Sequence, residues 1–422
     1  MNSATNSDIS AQGASSASGP LEGLRILDLS TYVAGPSGAM TLAQLGAEVI
    51  RVDPIGGATD TRRLPLGPSG ASLYWAGLNK GKLSVEIDTT QSEGRELVGA
   101  MLAASGPGGG ILLTNAVGQP WLAYEEMKKH RADLIEVHIA GRRDGKPAVD
   151  YTVNCEVGLP LITGPLDFSR PVNHVLPAWD LLTGLQAAIA ILSAERVRQR
   201  TGRGQLVSLS LADVAVAAMG HLGFVADVVV NGRGRLRDGN YLYGSFGCDF
   251  PTSDGQRVMI VALTERHWHK LVALTGIGEA IAALERSLKV DMDAEEGRYR
   301  YREVLEALIR PWFEERTLEE VTQALDENKV LWGAYRTVES FVNEPSSLAH
   351  VSDLMVDTSH PGIGIFPTPR PVLRFSDVGD IPPRPAPVLG QDTAWVLAEL
   401  LGLDDSKLAD LRARSIIGQD AR

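Results

Sequence analysis

Short apolar runs recur through the first 150 residues at LRILDLS (24–30), EVIRVDP (48–54), LSVEIDT (83–89), ILLTNA (111–116) and LIEVHIAG (134–141). Their length and branched aliphatic content predict buried strands. A small-residue helix around Ser37–Leu45 and amphipathic stretches at 92–104 and 121–131 lie between them. Strands alternating with helices predict an α/β fold with a Rossmann-like, mainly parallel, doubly wound sheet. The rhythm then changes. A long, almost uncharged helix runs from Asp180 to about Ser193, continues into AERVRQR and stops at the TGRG turn (201–204). QLVSLSL leads into an apolar helix at 211–229, and residues 232–255 are rich in Gly, Tyr and Phe, the composition of a functional loop. RVMIVALT starts a new segment with helical stretches near 265–288 and 301–326. Prolines at 361–387 mark an extended return to terminal helices in WVLAELLGL and SKLADLRARSII. The expected layout is a disordered tail at 1–19, a large domain at 20–230, a smaller α+β domain with its linkers at 231–345, and a return to the large domain at 346–422.

Composition narrows the function. Across 422 residues, 44% hydrophobic and 22% charged content suits a globular chain with a real core. The formal net charge of −12 argues against nucleic acid as a partner, since phosphate backbones need a basic face. A small phosphorylated ligand needs only local cations, for which Arg51, Arg62, Arg63, Lys80, Lys82, Arg142, Arg143 and Lys146 are candidates. Cys155 and Cys248 are too isolated for a disulfide scaffold or a thiolate zinc site. No run of about eighteen apolar residues escapes a charge, so no membrane span is expected. Residues 1–19 lack the basic and apolar regions of a secretory signal, and the cytoplasm is the expected location.

The loop Val33-Ala34-Gly35-Pro36-Ser37-Gly38 follows a strand and opens a helix but is not GxGxxG, so a dinucleotide fingerprint is absent. Its helix N-terminus still offers free N–H groups to a phosphate or a pantetheine amide. GPGGG (106–110) lacks the GK[ST] of a phosphate loop, and no GxSxG elbow is present. His267 and His269 point to different faces of a helix, with no nearby carboxylate to complete a metal set, and are read as structural. Asp180 directly follows Pro177-Ala178-Trp179 where the apolar helix begins. It reads either as a first-turn aspartate stabilised by the helix dipole or as a partly desolvated, ionised nucleophile. Spacing leaves both open.

Five segments then point to a family: LDLSTYVAGPSGAMTLAQLGAEVIRVDPIGG, LNKGKLSVEID, WDLLTG with TGRGQLVSLSLAD, GNYLYGSFGCDFPTSDG and PAPVLGQDTAWVLAELLGL. In this order, from about residue 20 to the end, the chain resembles the class III coenzyme A transferases. The resemblance implies an enzyme that moves coenzyme A between carboxyl groups, with an acyl-CoA substrate and no permanently bound cofactor or metal. It implies an interlocked homodimer and puts the catalytic aspartate at Asp180. It assigns CoA contacts to Val33, Ala34, Leu78, Asn79, Lys80, Asn115, Ala116 and Val117, and places Asp150 near the pantetheine end. Racemases of the superfamily carry a catalytic His before that aspartate. Val149 stands here, and loss of the second acid/base group argues against racemisation. Many members have His-Pro where this chain has Tyr241-Leu242, in the loop expected to shape the acyl pocket. LYWAGLNKGK, KKHRADLIEVHIAGRRDG, VDYTVN and VNHVLPAWD resemble members that shift CoA from C1 to C4 of one branched, unsaturated C4-dicarboxylate. The alternative is transfer between a thioester and a separate acid. A cation must hold the remote carboxylate, and the backbone N–H groups of Gly244–Gly247 are candidate oxyanion donors.

Overall fold

The computed structural model describes residues 19–116 and 118–419; the expected N-terminal tail, Gly19 apart, lies outside them. The chain divides into two compact units. One comprises the residues up to Val157, Val175–Leu222 and those from Ala349 on; the other comprises Gly158–His174 and Gly223–Leu348.

The first unit is built on six parallel strands: β1 (Arg25–Leu29), β2 (Glu48–Asp53), β3 (Leu83–Glu86), β4 (Ile111–Thr114), β5 (Ile135–Ala140) and β6 (Gln205–Ser210). Their order is β3-β2-β1-β4-β5-β6, with Ile26 of β1 paired to Val49 on one side and Ile111 on the other. Strands buried on both faces read as continuous apolar runs, which is why this sheet was legible in the chain. The order reverses between β1 and β4, and the crevice beyond their carboxyl ends is where open α/β sheets take ligands. Helix Ser92–Ala104 and the C-terminal helices Thr393–Leu401 and Asp405–Ala413 close one core around Val85, Ile87, Val98, Met101, Leu397 and Leu411.

Helices Ala34–Gln44 and Ala178–Thr201 cross where both chains are small. A Cβ on Gly38 would lie 2.5 Å from the Gly184 carbonyl oxygen, and one on Gly184 would lie 2.2 Å from Ser37 Oγ and 2.7 Å from the Ala34 carbonyl oxygen. No side chain fits there, so the start of the first helix is locked one turn beyond Asp180.

The second unit has an antiparallel sheet of β7 (Phe246–Pro251), β8 (Arg257–Ala262) and β9 (Leu331–Ala334). Its core gathers Phe246, Phe250, Ile260, Trp268 and Phe313, with Phe250 and Phe313 stacked at 4.4 Å. Three local expectations change. The helix expected at 211–229 is two, Leu211–His221 and Phe224–Asn231, because Gly223 adopts φ +80° between them. The stretch at 301–326 likewise divides at Thr317, which caps Leu318–Glu327 in a reciprocal box with Glu320. Strand β7 forms inside the segment expected as a loop. Among the described residues no single helix is long and apolar enough to cross a membrane.

Candidate active site

Asp180 is the third residue of helix Ala178–Thr201, whose N-cap, Pro177, has no side-chain acceptor. The first N–H groups of the helix therefore need one from elsewhere. Asp150 supplies it. This residue is 1% exposed, and its Oδ2 accepts the N–H of Trp179 at 2.7 Å and of Asp180 at 3.0 Å. The Trp179 indole N–H donates to Asn154 Oδ1 at 3.2 Å, on the same short helix as Asp150. With the cap supplied from outside, the Asp180 carboxylate is free: among the described residues no hydrogen bond or ion pair takes it. It is half-buried, and burial raises its pKa from the ordinary 3.8 to about 6; the Asp150 charge adds to the rise and Arg63 opposes it. Such a carboxylate is ionised at neutral pH yet poorly solvated, the state a carboxylate nucleophile needs.

The loop after β1 is hung on buried polar groups. Asn115 at the end of β4 pairs with the backbone of Thr31: its Oδ1 accepts the Thr31 N–H at 3.0 Å and its Nδ2 donates to the Thr31 carbonyl at 2.9 Å. Asp60 accepts the N–H of Tyr32, which is held at φ +69°. Asp60 and Asp53 both pair with Arg51, which is 1% exposed. Lys82 bonds Asp28 at 2.8 Å, the Pro36 carbonyl at 3.0 Å and Asn79 Oδ1 at 2.9 Å. Burial opposes the charge of Asp28, but Lys82 and Arg51 outweigh it and hold the pKa below the usual carboxylate range. Burial pulls Lys82 down to about 8, with Asp28 resisting.

Of the residues expected to meet CoA, Val33 and Ala34 are buried where the first helix begins, and Leu78 and Ala116 are half-buried at the ends of helix Leu73–Leu78 and β4. The side-chain amides of Asn79 and Asn115 are spent inside the protein. Lys80, 7% exposed, donates to the Gly77 carbonyl, and burial lowers its pKa to about 8. Val117 lies outside the described residues. Gly244–Gly247 belongs to the second unit, where Gly244 has φ +81° and Gly247 pairs with Val261 of β8.

Most of the candidate cations are committed elsewhere: Arg142 to Glu156, Arg143 to Asp213, Lys146 to Asp144 and Arg62 to the Gly56 carbonyl. Arg63 differs. Its guanidinium lies 4.8 Å from the ring centre of Tyr74 and 5.7 Å from that of Tyr32. Sequence reasoning named neither tyrosine, because what marks them is the side chain they meet from distant loops. His269, read as structural, meets Asp293 at 2.7 Å and shares with Glu265 an exposed cluster whose ligand atoms lie within 4.8 Å of one another. The fold thus gives His269 the carboxylates that the sequence reading did not find beside it.

The half-buried Asp180 carboxylate heads a long helix of the unit that holds the parallel sheet. The chain belongs to CoA-transferase family III, whose profile matches residues 21–393. It is 47% identical over 400 residues to 2-methylfumaryl-CoA isomerase of Chloroflexus aurantiacus, covering 94% of this chain and 98% of that one. It is 27% identical over 417 residues to human succinyl-CoA:glutarate CoA-transferase, covering 95% and 90%. Among solved structures, a CAIB/BAIF family protein from Brucella suis superposes with a TM-score of 0.75 at 27% identity, covering 90% of this chain and 99% of that one. The chain is therefore a family III CoA transferase, an enzyme acting on CoA thioesters.

Proposed function

We propose that the protein carries out an intramolecular CoA transfer, converting 2-methylfumaryl-CoA (mesaconyl-C1-CoA) to 3-methylfumaryl-CoA (mesaconyl-C4-CoA) with Asp180 as nucleophile. The 47% identity to an isomerase of that name over nearly both whole chains carries this reading. The free, raised-pKa carboxylate of Asp180 supports the chemistry.

An Asp180 oxygen attacks the C1 thioester carbonyl and the C–S bond breaks, leaving a mixed anhydride and CoA thiolate. The thiolate attacks the Asp180 carbonyl, giving aspartyl-CoA and the free C1 carboxylate of the still-bound acid. The acid turns, its C4 carboxylate attacks aspartyl-CoA, and the thiolate leaves again. Attack of the thiolate on the C4 carbonyl then forms the product and restores the Asp180 carboxylate. No proton is consumed. The covalent route splits one difficult exchange into feasible steps, and retention of the acid keeps the second carboxylate at high effective concentration.

Val33, Ala34, Leu78, Asn79, Lys80, Asn115, Ala116 and Val117 are assigned to the CoA path. Asp150, close to the reacting carboxylate, clamps the nucleophile's helix. The working form is a cytoplasmic homodimer. In support, Leu182, Leu185, Ile189 and Leu192 form an exposed apolar stripe on helix Ala178–Thr201, the kind of face a second copy covers. Incubation with the C1 ester, followed by chromatography, should yield the C4 ester. Labelled free mesaconate should stay out of the product; its incorporation would favour transfer between separate acids, the activity named for the 27% identical relative.

A further inference from the structure

A transfer within one diacid leaves a requirement unassigned. While one carboxyl reacts at Asp180, the other is an anion held away from bulk water, and it needs a cation. That cation must be unpaired, fixed in orientation and near Asp180. Arg51 and Lys82 are already bound to buried carboxylates, and the pairs on Arg142, Arg143 and Lys146 occupy those side chains.

Arg63 meets all three conditions. Among the described residues no carboxylate pairs with it, while the Tyr74 and Tyr32 rings at 4.8 and 5.7 Å hold its guanidinium. Both rings are themselves fixed. Tyr32 has its N–H on Asp60 and its hydroxyl bonded by Thr59 at 2.9 Å. Tyr74 sits in helix Leu73–Leu78, capped by Ser72, whose hydroxyl also donates to the Arg63 carbonyl at 2.6 Å. Tyr32 lies two residues before Ala34, whose carbonyl abuts Gly184 one turn beyond Asp180. The positive field of Arg63 accordingly reaches Asp180.

We propose that Arg63, clasped by Tyr32 and Tyr74, binds the free carboxylate of a dicarboxylyl-CoA beside Asp180 and so selects diacid over monoacid thioesters. The inference rests on the assignment of CoA transfer to Asp180. A planar, forked guanidinium suits the task, because it accepts either end of the acid in the same two-bond geometry as the substrate turns.

Binding in an Asp180→Asn background, where turnover is blocked, tests this by titration calorimetry with succinyl-CoA and butyryl-CoA as probes. The starting chain should prefer succinyl-CoA. Arg63→Gln should weaken succinyl-CoA roughly tenfold or more and leave butyryl-CoA within about twofold, the loss of one charged contact. Arg63→Lys, which keeps the charge without the fork, should recover part of the preference and guards against a Gln variant that fails to fold. Equal weakening of both probes, no initial preference, or a Lys variant without preference overturns the proposal. Conversion of the C1 ester by the unaltered protein is scored separately. Failure there with a preference that depends on Arg63 sinks the isomerase reading alone.

Discussion

Asp28 and Asp180 are carboxylates of the same unit, both withdrawn from bulk water, and their surroundings drive them in opposite directions. Asp28 is wholly buried with an ammonium 2.8 Å away and a second cation behind it, and its pKa falls. Asp180 has no bonded cation among the described residues, a second aspartate beside it and a pKa raised to about 6. The Asp28 cluster is a compensated network, and its effect is to hold the loop before Val33. Asp180 is undercompensated, and a carboxylate so placed keeps free energy available for bond formation. Burial alone distinguishes neither role; the partners do.

The largest expected effect comes from removing the Asp180 carboxylate. Asp180→Asn should lower CoA transfer by about four orders of magnitude, roughly 5.4 kcal/mol of barrier, while free CoA still binds. Its stability should move the other way. Ionising Asp180 in the folded state opposes folding, because its pKa of about 6 exceeds the ordinary 3.8. The Asn chain should be the more stable at pH 8, by on the order of 2 kcal/mol, with the gap closing as pH falls from about 6 towards 4. Thermal denaturation across that range reads it, and a less stable Asn chain at pH 8 would contradict the electrostatic account.

Lys82→Met breaks the compensated member instead. It leaves Asp28 charged and buried without its ammonium, and denaturant unfolding should show a loss of roughly 3–5 kcal/mol. A loss below about 1 kcal/mol would mean that Asp28 is rescued by Arg51 alone.

Gly184→Ala probes the joint between the two regions, since its Cβ would meet Ser37 Oγ and the Ala34 carbonyl. A stability loss of about 1–3 kcal/mol is expected, with a fall in kcat/KM from displacement of the Val33–Ala34 turn. Unchanged kinetics would detach that turn from catalysis.

The smallest and sharpest change is Asp150→Asn, which keeps an oxygen acceptor for the N–H groups of Trp179 and Asp180 but removes the charge. With Asp180 as the proposed nucleophile, activity should fall on the acid side near pH 6 in the parent chain. In the variant that limb should move to lower pH. A limb that stays in place would assign the raised pKa to burial alone.

The strands of the parallel sheet were legible because apolar runs such as LRILDLS and ILLTNA are buried on both faces and need no partner to be recognised. Asp180 was legible as a residue, since an aspartate after Pro177-Ala178-Trp179 at the head of an apolar helix stands out, but its two readings were not separable. Asp150, thirty positions earlier, takes over the cap, a contact that the neighbourhood of Asp180 does not announce. The pairing of Arg63 with Tyr32 and Tyr74 and the spending of Asn79 and Asn115 on internal bonds were equally invisible. Periodicity is a local property that the chain carries in itself and that determined the large sheet and the helix that Asp180 heads. The protonation, freedom and neighbours of a side chain depend on groups brought together from distant positions, and only the tertiary structure decided those.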